Sequence, residues 1–266
     1  MRPGEYFATH PVFTHAEFVR AHTARGRSER TSNNLLAQHL RAGHLLRVRR
    51  GLYASVPPGA APEQTTVDPY LVMTKLTDDA VVAYHAALQF HGKSYSVWQR
   101  FHYLTCARMK PLTFQGMRFV PVQAPRAVRS LPDLGGGVLE MHHGGGLVRV
   151  TTLERTFVDA LSAPSKCGGW EELWRSLEMV EFFDLDAVTN YALALGSALT
   201  VARVGFYLEQ HREALMVEDR YLDLLRQHAP TQARYLDAKR EPGRLVPAWN
   251  LVVPESVLAR SWTEVL

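Results

Sequence analysis

Apolar positions along the first sixty residues change from a helical to a strand period within a short distance. Phe13, Phe18 and Val19 flank Thr14 and Glu17, whose separation is that of a capping box, which predicts a helix of about nine residues behind Thr14. Little helix is expected before Thr14. A second helix is expected from Ser28 or Thr31 to about Ala42, with Gly43 as its stop. At 100° per residue, Arg30, Thr31, Asn34, Gln38 and Arg41 fall within about a third of its circumference. Leu36 and Leu40, flanked by Leu35, lie on the opposite side. Two β-prone runs then meet at Arg49-Arg50-Gly51: Val48, Leu52 and Tyr53 favour extended backbone, and Gly51 supplies the positive φ of a tight hairpin.

The order is therefore helix, a turn carrying Arg25 and Arg27, a polar-faced helix and an Arg-tipped hairpin. That order predicts a winged helix-turn-helix over residues 1–56. Residues 57–67 lie in a stretch of four prolines without sustained periodicity, which reads as a stiff, polyproline-like linker. From residue 68 to 266 the pattern is mixed. Helices are expected over 68–76 and 78–90, the latter from the spacing of Ala80, Val81, Tyr84 and Leu88, with Thr77 and Gly92 as stops. Strand-like runs follow at 101–106, 117–122, 138–142 and 147–150. Helices resume at 152–161, 170–180, 186–195, 199–212 and 218–227. The expected class is α+β, with an N-terminal winged helix-turn-helix and a larger mixed α+β domain made of a small sheet and a helical half.

Charge sharpens this division. Residues 1–60 hold nine Arg (positions 2, 20, 25, 27, 30, 41, 47, 49 and 50) against three Glu, a net of +6, whereas the rest of the chain nets −2. All the N-terminal cations are Arg, whose planar fork matches phosphate oxygens and guanine edges. On this reading Arg27, Arg41, Arg47, Arg49 and Arg50 neutralise phosphates, while Arg30, Thr31, Asn34 and Gln38 read base edges in a major groove and Ser28 stands at the start of the helix. About five phosphate contacts would give a log-log salt slope near −4 to −5.

Other patterns bear on enzyme and metal chemistry. Cys106 and Cys167 are 61 positions apart with no CxxC spacing, and both are expected to be ordinary buried thiols. His142-His143 precede three glycines, but neighbouring strand residues face opposite ways, so a hairpin turn is expected there. His85 and His91 are six apart, which does not match the i, i+4 pairing of a helical zinc site. Asp133 followed by Glu140-Met141-His142 lacks the lysine that a metal-dependent nuclease of the PD-(D/E)xK kind needs. Asp184-x-Asp186 precedes Gly196-Ser197, the wrong order for a nucleotidyltransferase. Beside Glu154, Arg155 and Asp159 form an i, i+4 pair expected to be structural. No catalytic residue, metal or cofactor is assigned. No run approaches the apolar length of a membrane span and no leader-like core opens the chain, so a cytoplasmic protein without a membrane partner is expected.

The segment His10-Pro-Val-Phe-Thr-His-Ala-Glu-Phe-Val, followed by Leu-Leu-Ala-Gln-His-Leu-Arg-Ala-Gly-His-Leu-Leu-Arg-Val-Arg-Arg-Gly-Leu-Tyr, resembles the winged-helix domain of AbiEi-family antitoxins. Val150-Thr-Thr-Leu-Glu-Arg-Thr-Phe-Val-Asp-Ala-Leu and Trp249-Asn-Leu-Val-Val-Pro are similar to segments of that family's C-terminal domain. The turn from Thr23 to Thr31 is longer and more basic than the family's usual one. The resemblance implies a DNA-binding antitoxin and transcriptional autorepressor of a type IV toxin-antitoxin operon. Its implied partners are double-stranded DNA, at inverted repeats in its own promoter, and a nucleotidyltransferase-like toxin neutralised without a stable complex. Two alternatives stay open: a ligand-sensing winged-helix regulator without a toxin partner, and a DNA-targeted hydrolase.

Overall fold

The computed structural model describes residues 3–131 and 135–262. Asp133, the carboxylate that precedes Glu140-Met141-His142, and Arg2 of the basic segment lie outside them. The chain is α+β. Its contacts gather it into two compact units, one formed by residues 1–82, 99–123 and 139–150, the other by 83–98, 124–138 and 151–266. The Pro-rich segment 57–67 does not separate them: residues on both sides of it belong to the first unit.

In the first unit, α1 (Pro3–Thr9) leads into β1 (Val12–Thr14), α2 (His15–Thr23) and α3 (Glu29–Arg41), followed by the hairpin of β2 (Leu45–Arg49) and β3 (Leu52–Ser55). Helix α1 stands where the sequence predicts little helix, before Thr14. It forms because Tyr6 and Phe7 are taken up by an aromatic core with Phe13, Phe18, Leu36, Leu45 and Tyr53, a gain visible only once distant residues meet. Tyr6 sets its edge against Phe13 and Phe18, each at 5.3 Å between ring centres. β1, β3 and β2 form an antiparallel sheet in that order.

The same unit continues with α4 (Pro69–Thr74) and six strands: β4 (Val81–Val82), β5 (Arg100–Thr105), β6 (Leu112–Phe114), β7 (Met117–Gln123), β8 (Val138–His143) and β9 (Gly146–Thr151). Their order is β6-β7-β5-β4-β9-β8, with β5 parallel to β7 and β4 parallel to β9. The helix expected over 78–90 is therefore corrected: Val81 and Val82 are a strand within the sheet, and helix starts only at His85, as α5 (His85–Phe90). A two-residue buried strand has no period of its own, so its valines blend into the helical spacing of their neighbours. Cys106 also departs from expectation. It is exposed, one residue beyond β5, while Cys167 is buried. Chain ends of strands at a sheet rim leave such positions open, and the Cys106 backbone N–H donates to Asp79 Oδ2 at 2.5 Å.

The second unit adds to α5 the helices α6 (Leu153–Ser162), α7 (Trp170–Glu178), α8 (Leu185–Ala194), α9 (Ala198–Gln210) and α10 (Asp219–Gln227). It also holds a sheet that the sequence pattern did not reveal, of β10 (Arg234–Tyr235), β11 (Gly243–Val246) and β12 (Leu251–Pro254), and closes with α11 (Glu255–Leu258). At Gly205 on α9 the ring of Trp249 comes so near that an added Cβ would lie 2.2 Å from it. Arg203, also on α9, is buried and donates to the carbonyls of Leu161, Ser162 and Leu236 at 2.9–3.0 Å, joining the end of α6 to the small sheet.

The expected Arg155–Asp159 pair exists, but it is not at the surface: both side chains are 1% exposed, with Nε to Oδ2 at 3.4 Å. Tyr191 Oη donates to Asp159 at 2.9 Å, and the Arg155 guanidinium lies 4.9 Å above the Tyr191 ring. His85 is buried, stacked on Trp98 at 4.1 Å between ring centres and 3.0 Å from Glu172. His91 Nε2 is 2.8 Å from the Thr151 carbonyl.

Candidate nucleic-acid interface

Two caps position the helices of the basic segment. Thr14 N–H donates to the Glu17 carboxylate at 2.8 Å while Glu17 N–H donates to Thr14 Oγ1 at 3.2 Å, the reciprocal pair that starts α2. Ser28 caps α3: its Oγ accepts the Thr31 N–H at 3.1 Å and lies 2.9 Å from Thr31 Oγ1. Gly43, with φ +75°, lets the chain leave α3 and enter β2. A further link between the helices, not singled out in the sequence, joins His15 Nε2 to Asn33 Oδ1 at 2.6 Å.

With both ends fixed, α3 is sorted as its wheel predicts. Leu36 and Ser32 are buried, and Leu35, Leu40 and Ala37 are half-buried. Arg27, Ser28, Arg30, Thr31, Asn34, Gln38 and Arg41 are exposed. The hydroxyls of Ser28 and Thr31 are committed to each other at the cap, so the side chains on this face with donors and acceptors still directed outward are Arg30, Asn34, Gln38 and Arg41. Those are the groups that can pair with base edges or phosphate oxygens.

The hairpin treats its three arginines differently. Gly51 has φ +80° with open space where a Cβ would be, so the turn needs glycine for its backbone rather than for room. The β2–β3 register slips between Arg47 and Arg49, a bulge that buries Val48. Arg47 and Arg50 are exposed. Arg49 is half-buried, and its Nη2 donates to the Leu76 carbonyl at 2.6 Å, so it ties the hairpin to a later part of the same unit. Nothing near Arg49 in the sequence signals this, because its acceptor lies 27 residues away.

A second such tie runs from Lys75 Nζ to the Glu17 carboxylate. Partial burial works against ionisation of Glu17, yet the Lys75 ammonium and the donors of Thr14 outweigh it and hold the carboxyl below its ordinary range. At the other end of α3, His39 Nδ1 is 3.0 Å from His44 Nδ1. Burial first, and the neighbouring His44 second, push the His39 imidazole toward its neutral form. The two rings border a cavity of about 780 Å³ whose walls include Phe7, Pro11, Val56 and Pro58.

No protein-family model and no curated protein matches the chain. A solved structure does. The crystal structure of the RV2827C protein from Mycobacterium tuberculosis superposes with a TM-score of 0.61 at 18% identity, over 93% of this chain and 87% of that one. At that identity the likeness establishes a shared fold. It extends over nearly the whole of both chains, so both compact units have counterparts in one known architecture.

Proposed function

We propose that this chain is a DNA-binding antitoxin and transcriptional autorepressor of a type IV, AbiE-like toxin-antitoxin operon, a cytoplasmic binding protein rather than an enzyme. The observation that carries the DNA-binding part is the exposed row Arg30, Asn34, Gln38 and Arg41 on α3, backed by the buried Leu36 and flanked by the exposed Arg27, Arg47 and Arg50. A rigid helix that offers amide and guanidinium groups on one face, with separate arginines on either side, has the donor and acceptor set of base readout plus phosphate positioning. The antitoxin part rests on the resemblance of residues 10–19, 35–53, 150–161 and 249–254 to AbiEi-family segments. Its functional partner is a nucleotidyltransferase-like toxin with which it forms no stable complex.

Arg27, Arg41, Arg47 and Arg50 are assigned to phosphates. Arg49 is left out because the Leu76 carbonyl already holds its guanidinium. Four contacts correspond to a log-log salt slope of about −3.6. Fluorescence anisotropy with the DNA upstream of the chain's own operon checks this: a slope near that value supports the reading, and a flat salt dependence overturns it. Asn34→Ala should cost about 1–3 kcal/mol of discrimination at one base pair, whereas Arg47→Ala should weaken all sequences alike and flatten the slope by about one. Co-expression of the full chain with the product of the adjacent gene tests the antitoxin part. Rescue from a nucleotidyltransferase-like toxin, retained by the DNA-binding variants, supports an antitoxin activity separate from repression.

The cavity beside α3 favours a second reading, a regulator that senses a small ligand without any toxin partner. Its walls are mostly apolar and it adjoins the last turn of the helix assigned to DNA, so an occupant could shift that helix. An unrelated metabolic gene beside this one, together with a ligand-dependent change in operator affinity, would favour the sensor.

A further inference from the structure

Among the described residues, strand β8 closes one end of the six-stranded sheet and pairs only with β9. Its residues Leu139, Glu140, Met141 and His142 are all exposed, Leu139 at 42% and Met141 at 40%. Among the described residues, no turn, loop or cap hydrogen bond engages the backbone of 139–142. An open edge with apolar side chains is a template for another strand unless something blunts it, such as proline, lysine or a bulge. Neither proline nor lysine occurs in Val138–His143.

The side chains decide which strand fits. When two copies of one strand pair antiparallel about a twofold axis normal to the sheet, residues opposite each other share a face, so they are separated by an even number of positions. Two central registers are available to β8. With Glu140 on the axis, the carboxylates of the two copies face each other and repel. With Met141 on the axis, Met141 meets Met141, Leu139 meets His143, and Glu140 meets His142 twice, once on each side of the axis. That register pairs an acceptor with an imidazole at both positions and sets the two apolar thioethers together. Within its own chain the strand meets two charged partners: Arg149 Nε lies 3.8 Å from Glu140, and Asp68 Oδ2 lies 2.7 Å from His143 Nε2, while Met141 and His142 at the centre of the register stay exposed.

We infer that β8 is a self-association edge: two copies of this chain join their sheets through antiparallel β8–β8 pairing centred on Met141, with reciprocal Glu140–His142 contacts. The contact involves two strands of six residues each, so the dimer is reversible and depends on concentration. The inference stands on the sheet edge alone and does not need the DNA-binding reading.

Sedimentation velocity over a concentration series of the full chain, without DNA, provides the first test. The expected result is a monomer–dimer equilibrium for the wild type, a loss of dimer for His142→Glu, which sets carboxylates opposite one another, and its recovery in Glu140→His/His142→Glu, where the pair is exchanged. Circular dichroism identifies any variant that fails to fold. The register is read separately by oxidation with copper phenanthroline in a Cys106→Ser background. Met141→Cys should crosslink into a covalent dimer, while Leu139→Cys, four strand positions from its own copy, should not. The inference is overturned by a wild type that stays monomeric throughout the series, by a dimer indifferent to His142→Glu, or by equal crosslinking at both positions.

Discussion

The ion pair of Arg155 and Asp159 shows how much one residue's meaning depends on where it is buried. At the surface of a helix the same i, i+4 spacing contributes a few tenths of a kcal/mol. Here both groups are out of water, Arg155 also donates to the Gly136 carbonyl, and Asp159 accepts from Tyr191. Burial pushes the Asp159 carboxyl up, against the pull of Arg155 and the Tyr191 hydroxyl. Removing one partner leaves the other as an uncompensated buried charge. Asp159→Ala should therefore lower unfolding stability by about 3–5 kcal/mol, measurable by urea denaturation. A loss below about 0.5 kcal/mol would show that the pair behaves as an exposed one. Arg49 makes the same point with the opposite sign: adjacent to Arg50 in sequence, it is held by a backbone carbonyl while its neighbour stays exposed.

At the scale of elements, the helices and strands that carry their own end signals were legible. Thr14 with Glu17, Ser28 and Gly43 mark the ends of α2 and α3, and Asp68, Thr152 and Ser197 cap α4, α6 and α9 through their side chains. The elements that were missed lack such signals. Strand β4 has two residues, α1 is stabilised by aromatic contacts beyond itself, and β10 pairs in parallel with the central β12 although β11 lies between them in the chain. On α3 the apolar side consists of few residues, so its anchoring is concentrated. Leu36 is 4% exposed within the aromatic cluster, and Leu36→Ala should cost about 2–5 kcal/mol in thermal or chemical unfolding. DNA affinity should fall with it, because the polar face is positioned only as well as the buried one is packed.

Across the whole molecule, the first unit is assembled from segments that are far apart in the chain. Glu17 reaches Lys75, and Asp79 accepts from Thr105 and from the Cys106 N–H. Burial opposes ionisation of Asp79 too, but those donors outweigh it, so both carboxyls are held below their ordinary values near 4.5 and 3.8. Groups with lowered native values contribute stability that is complete above the ordinary carboxylate range and is lost as pH falls through the native values. Urea unfolding at neutral pH and at about pH 3 should thus show weaker stability on the acid side. Glu17→Gln/Asp79→Asn should flatten that acid limb; an unchanged limb would assign it to other carboxyls. By itself the sequence determined the α+β class, the capped helices and the division of α3 into an apolar and a polar face, because periodicity and capping act over a few residues. Only the tertiary structure decided that residues on both sides of the Pro-rich segment share a unit, that Arg49 is tethered, and that Arg155 and Asp159 are buried. Those outcomes depend on partners tens of residues away or on neighbouring elements, and burial is set by what packs from outside the local pattern.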